Sequence, residues 1–349
     1  MESLNTATVV RETVRVDVTD VAPPGCRTVA AEIVAPATPP TDPIVLACFA
    51  GGAMSRAYFD LAATGYSFAQ FAAHRGVVVV LVDHPGVGES DVPDDAWLLT
   101  PGRIAAVHSG VVTRVLALLR AGNLGAIDAV RPAVVIGVGH SAGADLLVRQ
   151  QANHHSYHGL CLLGWGLNGL PAVLCPAAVA LTGSAAADAE LVAAAREQFE
   201  LPLPYLEQAS AATRRPSSVH DALGAARTAL LAVVATAAMI PGTTSVYAAA
   251  IDVPLFLGAG SRDLVTDLRQ LPAAFPSATD ITTYVLDGAG HNHNSAPGRA
   301  VLWERILHWA SCIHRHDRAE YRTTSGTQNK PFEEGKVSWA YSTPSPSST

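Results

Sequence analysis

The sequence predicts an α/β fold, a mostly parallel central sheet flanked by helices, and three observations predict it. Short β-branched runs alternate with longer helical patterns along the chain. The middle and late runs are nearly continuous in apolar residues, as parallel strands covered on both faces must be. Of the 349 residues 49% are apolar, enough to bury one large core.

In chain order, Val10 to Val18 and Arg27 to Val34 read as an antiparallel start. Strands are then expected at Pro43 to Cys48, Gly76 to Val82, Ala133 to Val138, Gly159 to Gly164, Val253 to Gly258 and Ile281 to Leu286. Helices are expected at Tyr66 to His74, Thr100 to Ala121, Ser141 to Ala152 and Ala296 to Ser311. The alternation stops between Leu167 and Ile251, an Ala-rich helical pattern with prolines at 171, 176, 202, 204 and 216. This stretch reads as a helical cap insertion. The expected division is a first core part over 1–166, a cap over 167–250, a second core part over 251–316 and a polar tail over 317–349. The tail is rich in Ser, Thr and Pro and can bury little. Within the cap, Ala222 to Ile240 is long and apolar, but Arg227 interrupts it and Pro241-Gly242 closes it. Its unbroken part is too short for a bilayer, so a buried or substrate-facing helix is expected.

The net charge is −7 and only 15% of residues are charged. Such a chain is a poor electrostatic partner for nucleic acid or an anionic membrane, so neither is expected. The five cysteines, Cys26, Cys48, Cys161, Cys175 and Cys312, are odd in number and irregular in spacing. They read as free thiols in a reducing compartment, and the expected location is cytoplasmic. Met1 to Asp20 contains no apolar run of the signal-peptide kind. The histidines at 154, 155 and 158, and Cys312 with His314 and His316, lack a recognised ligand spacing, so no metal and no cofactor are expected. A homo-oligomer is compatible with all of this.

One motif carries chemistry. The strand Ala133 to Val138 enters Gly139-His140-Ser141-Ala142-Gly143 and then a helical pattern. This is Gly-x-Ser-x-Gly in a strand–turn–helix setting. The turn holds Ser141 in a strained conformation that lifts its hydroxyl above the sheet, and side chains at 139 and 143 would collide. The helix N-terminus adds positive potential there. Ser141 is therefore a candidate nucleophile. A serine needs a neighbouring base of near-neutral pKa, which favours histidine.

With this elbow the chain resembles the α/β-hydrolase superfamily over roughly residues 10 to 315. The resemblance implies an oxyanion loop at Phe49 to Ser55, after the third strand. Ala50 stands where histidine often precedes the glycine of that loop. One donor would be the Ala142 N–H and the other that of Gly52, with Ala53 and Met54 as alternatives. The loop Asp83-His84-Pro85-Gly86-Val87-Gly88-Glu89-Ser90 looks like the family's structural turn, with Asp83 and Ser90 bonding the backbone. His291, after the strand Ile281 to Leu286, takes the place of the base, and His293 is its rival in the same loop. Asp263, past the strand Val253 to Leu257, takes the place of the orienting acid, and Asp267 is the nearby alternative. The order Ser141, Asp263, His291 is the superfamily's. Met54, His140 and Trp165 are expected at the substrate, with packing the competing reading for His140.

These parts imply acyl transfer to water on a neutral, hydrophobic ester or lactone, under a cap rich in Ala, Leu and Val with Phe199 and Tyr205. Serine as nucleophile argues against dehalogenase and epoxide-hydrolase chemistry. C–C bond hydrolysis, thioester hydrolysis, a cofactor-free haloperoxidase or lyase, and ligand binding without turnover are the competing readings.

Overall fold

The computed structural model of the protein describes residues 8–199, 215–265 and 268–324. Eight strands form one sheet in the order β1-β2-β4-β3-β5-β6-β7-β8. They are β1 (Val9–Asp17), β2 (Thr28–Pro36), β3 (Ile44–Phe49), β4 (Val78–Val82), β5 (Val134–His140), β6 (Gly159–Leu163), β7 (Leu255–Gly260) and β8 (Ile281–Leu286). β2 runs antiparallel to β1 and to β4, and every pairing from β4 to β8 is parallel. The apolar runs at β3 to β6 are buried along their length because helices cover both faces.

The alternation of side chains along β3 shows how the layers divide. Val45, Ala47 and Phe49 face one core with Val107, Val111 and Val115 of α2 (Pro101–Ala121). Leu46 and Cys48 face the other, with Phe68 and Ala72 of α1 (Phe68–Ala73) and Trp303 and Ile306 of the last helix. α2 is the one described helix long and apolar enough to cross a membrane. Its apolar stripe, Ile104 to Leu119, is buried in the core, and Thr100 caps its start while Gly122, at φ 68°, ends it.

The sheet order reverses beside β3 and β5: β4 lies on one side of β3, and the chain then crosses to β5 on the other. Parallel sheets open a crevice at the C-terminal ends of strands around such a switch point. The loop after β3 and the turn into α3 (Ala142–His154) meet there.

Between β6 and β7 lie α4 (Pro176–Val179), α5 (Asp188–Gln198), α6 (Ser217–Ala225), α7 (Ala232–Met239) and α8 (Ser245–Ala249). Cys175, Ala178, Leu191, Ala194, Val233 and Ala237 give these helices a small core of their own. The apolar stretch from 222 to 240 departs from its expected single helix. α6 stops at Ala225, residues 226–231 belong to no helix, and α7 starts at Ala232. The cause is tertiary, because the N–H groups of Thr228 and Leu231 donate to Ala53 O and Gly52 O in the loop after β3 instead of to a helix of their own.

The last helix, α9 (Arg299–Thr324), continues past Asp317, where a polar tail was expected to begin. By packing, one unit extends to His314 and a second begins at Arg315. The rest of the tail, along with Tyr205 and Asp267, lies outside the described residues. None of the five cysteines is in a disulfide, and all but Cys312 are buried.

Candidate active site

Ser141 sits between the last residue of β5 and the first of α3, at φ 55° and ψ −123°. For a residue with a side chain this backbone is strained, and its surroundings hold it. The Ser141 N–H donates to Leu163 O at 2.8 Å. A Cβ on Gly139 would lie 2.6 Å from the Ala144 Cα, and one on Gly143 would lie 2.3 Å from the Phe49 carbonyl oxygen. The two glycines of the motif are therefore demanded by backbone atoms that cannot step aside.

Two further strand ends supply the partners. The loop after β8 brings the His291 Nε2 to 2.9 Å from the Ser141 Oγ. The turn after β7 brings Asp263 Oδ1 to 2.7 Å from His291 Nδ1. The Asp263 side chain is fully covered and that of His291 is partly covered. Burial alone would push the Asp263 carboxyl up. Hydrogen bonds and charge from His291 and His293 outweigh it and hold the group well below the usual carboxylate range. Asp263 thus stays ionised and can hold the imidazole with Nδ1 protonated and Nε2 facing the serine.

His293 does not compete for the serine. Its Nε2 lies 2.6 Å from the other oxygen of Asp263, Oδ2. His140 places its Nε2 2.8 Å from the His291 carbonyl oxygen, which can only accept, so that nitrogen carries the proton. Its ring stacks on Tyr58 with centroids 4.4 Å apart. Burial, then the neighbouring His291 and His293, lower its affinity for a proton well below the ordinary value. His140 thus forms part of the cavity wall while its Nε2 steadies the backbone of His291.

The loop after β3, the candidate oxyanion loop, lies against the elbow. A Cβ on Gly52 would come 3.3 Å from the Ala142 Cβ, so the backbones of these two residues are neighbours. Among the described residues neither N–H donates to another backbone group, whereas the Met54 N–H donates to Gly51 O at 3.0 Å. That engagement removes Met54 as an alternative donor and leaves Gly52 and Ala53 beside Ala142.

The loop is gripped from two sides. The His84 Nε2–H donates to the Ala50 carbonyl at 2.9 Å, and the His84 Nδ1 accepts from the His108 Nε2–H at 3.1 Å. His84 thereby reaches the loop through the backbone at the position where a histidine side chain is missing. From above, Leu231 N–H donates to Gly52 O at 2.8 Å and Thr228 N–H to Ala53 O at 3.0 Å. Ser55 N–H donates to Ala226 O at 2.8 Å, and Met54 bridges Arg227. Neither grip was signalled by spacing, since the partners come from 34 to 179 residues away along the chain (Ala50 to His84, Gly52 to Leu231). The hint in the sequence was the polar pair Arg227-Thr228 inside an apolar run.

Asp83 accepts from the backbone N–H groups of Arg56 and Glu89 and pairs with the Arg56 guanidinium. Ser90 Oγ accepts from Ala30 N–H. Both brace their turn, away from Ser141.

A cavity of about 560 Å³ opens over Ser141 and His291. The cap contributes Leu167, Leu170, Leu230 and Met239, and the loops of the second core part contribute Val265 and Leu271. Met54 and Trp165 line it too, and the Trp165 indole N–H is tied to Asp145 Oδ1 at 3.3 Å. Among the described lining residues Arg227 is the one permanent charge.

The sequence profile described as the alpha/beta hydrolase family matches residues 44–302. No curated protein matches. Among solved structures, DcsB in complex with its substrate analogue is similar, with 14% identity and a TM-score of 0.59, covering 88% of this chain and 99% of that one. A thermophilic esterase from Thermogutta terrifontis, malate bound, is similar at 16% identity and a TM-score of 0.56, covering 87% and 99%. The thioesterase domain from the curacin biosynthetic pathway follows at 16% and 0.54, covering 85% and 99%. At these identities the likeness is one of fold.

Proposed function

The chain belongs to the alpha/beta hydrolase family, and from that premise we propose that it is a serine hydrolase of neutral, hydrophobic carboxylic esters or lactones, working through an acyl-enzyme. The observation that carries this reading is the continuous chain Ser141 Oγ, His291 Nε2, His291 Nδ1 and Asp263 Oδ1, at 2.9 and 2.7 Å, on the floor of an apolar cavity.

In this reading the Ser141 Oγ attacks the carbonyl carbon while His291 Nε2 takes its proton. The negative charge moves to the carbonyl oxygen and is met by the N–H groups of Ala142 and Gly52. Collapse of the tetrahedral intermediate breaks the C–O bond, and His291 returns the proton to the departing alkoxide. Water then attacks the acyl-enzyme, giving its proton to His291, and the acid leaves as Ser141 regains its hydrogen. Asp263 stays ionised throughout and steadies the imidazolium. The apolar cap residues supply binding area for the hydrophobic part of the substrate, with Met54, Trp165 and His140 on the same cavity wall.

An active-site phosphonate tests the assignment. It should label Ser141, and Ser141→Ala should lose labelling together with turnover of a chromogenic short-chain ester, by at least about 10⁴-fold. Labelling at another residue, or full turnover by the variant, defeats the reading. A panel of lactones, esters, thioesters and vinylogous diketones then separates the reaction classes that the triad permits.

A further inference from the structure

Asp263 is held by two histidines, one on each oxygen. Oδ1 faces His291 Nδ1 at 2.7 Å and Oδ2 faces His293 Nε2 at 2.6 Å. An ionised carboxylate only accepts, so His293 Nε2 carries a proton and donates it. His293 Nδ1 is buried without a hydrogen-bond partner among the described residues, as expected of the bare nitrogen in a neutral ring. The Gly260 N–H lies 3.1 Å from His293 Nε2 and 3.3 Å from Oδ2; because Nε2 holds the proton that faces the carboxylate, the acceptor for this N–H is Oδ2.

The backbone is shaped for this double contact. His293 N–H donates to His291 O at 3.1 Å, closing a tight turn that sends both rings to the same carboxylate. Gly164, at φ 60°, makes room: a Cβ there would lie 3.1 Å from the His293 Cε1 and 3.2 Å from the His291 Cε1. His293 has no solvent exposure and meets the His140 ring edge-on, with centroids 5.5 Å apart. The titratable groups around it are Asp263, His291 and His140, with Tyr58 stacked on His140.

We propose that His293 is a positioning residue of the catalytic machinery: its Nε2–H locks the rotation of the Asp263 carboxylate and sets how much of that charge reaches His291. Without the lock the carboxylate could turn, and the base would lose its orientation for Ser141. Without the competing donor, more charge would sit on Oδ1 and hold the His291 imidazolium more firmly. The inference rests on the serine-hydrolase reading above.

The test is steady-state kinetics across pH on a chromogenic ester, with wild type, His293→Phe, His293→Gln and Ser141→Ala, each checked for native circular dichroism. His293→Phe should lower kcat by about tenfold to hundredfold, as loss of a hydrogen bond to a charged group does. KM should change little, and the acid limb of kcat/KM should move to higher pH. His293→Gln, whose amide can place a donor near the same oxygen, should restore most of kcat and the wild-type limb. An unmoved limb with unchanged kcat in His293→Phe overturns the proposal. So does a folded His293→Gln as impaired as His293→Phe. Turnover that survives Ser141→Ala would instead overturn the serine-hydrolase reading, so the two failures are told apart.

Discussion

The two halves of the candidate site are built differently. Ser141, His291 and Asp263 each sit just past the end of a parallel strand, and their contacts are made among β5, β7 and β8 and the turns that follow them. The candidate oxyanion loop also follows a strand, β3, but its carbonyls are held by His84 from below and by Thr228 and Leu231 of the cap from above. The triad needs only the sheet to be in place. The loop needs the sheet, a buried histidine pair and the cap together. In this protein the cap therefore holds half of the candidate site as well as roofing it.

Three perturbations break or sharpen this contrast. The largest effect belongs to the triad. Asp263→Asn should lower kcat by about 10⁴-fold, because the amide leaves the imidazole free to present the wrong tautomer. KM should stay near the wild-type value because the cap is untouched, and steady-state kinetics reads both numbers.

The second acts on the cap side. Thr228→Pro deletes one N–H that holds the loop, leaving the hydrogen bonds of Ser141, His291 and Asp263 in place. A lost donor and a slightly misplaced loop should lower kcat by about tenfold or more, with a small loss of stability. If rate and KM are unchanged while the protein stays folded, the loop is as autonomous as the triad and the contrast disappears.

The smallest effect concerns stability. Burial first of all lowers the proton affinity of His84, His108 and His140, two beneath the loop and one behind the triad. In the unfolded chain they titrate near the ordinary value of about 6.5. Below that pH the unfolded state binds protons that the folded state excludes, so stability falls as pH falls. The slope is up to about 1.4 kcal/mol per pH unit for each histidine. Urea midpoints taken between about pH 7.5 and 5 should fall accordingly, and His108→Phe should flatten the decline. A midpoint that does not fall would mean that these histidines already take up protons in the folded state.

Much of this was readable from residues in a row. Continuous apolar runs mark β3 to β6, because strands covered on both faces have no polar side to show. The elbow is local too: Gly139 and Gly143 are needed by atoms a few residues away or on the adjoining strand. Asp263 and His291 were placed by the resemblance to the α/β-hydrolase superfamily, which puts the acid and the base in the loops after β7 and β8. The loop holding His291 and His293 shows where local pattern runs out. Two residues apart, both rings can point the same way, and they do, but onto two oxygens of one carboxylate.

The resemblance to the α/β-hydrolase superfamily pointed to the strand ends from which the partners of Ser141 come; by itself, the sequence of this protein determined the order of strands and helices and the strained turn that carries Ser141. Those follow from periodicity, from glycine where a Cβ cannot fit, and from chain neighbours a few residues apart. Tertiary structure alone decided that the apolar stretch 222–240 breaks at 226–231, that His84 reaches the backbone of Ala50, and that His293 shares Asp263 with His291. The physical reason is the same in each case. A hydrogen bond is worth forming only where the partner stands, and here the partners stand on other elements, brought close when the sheet closes its core.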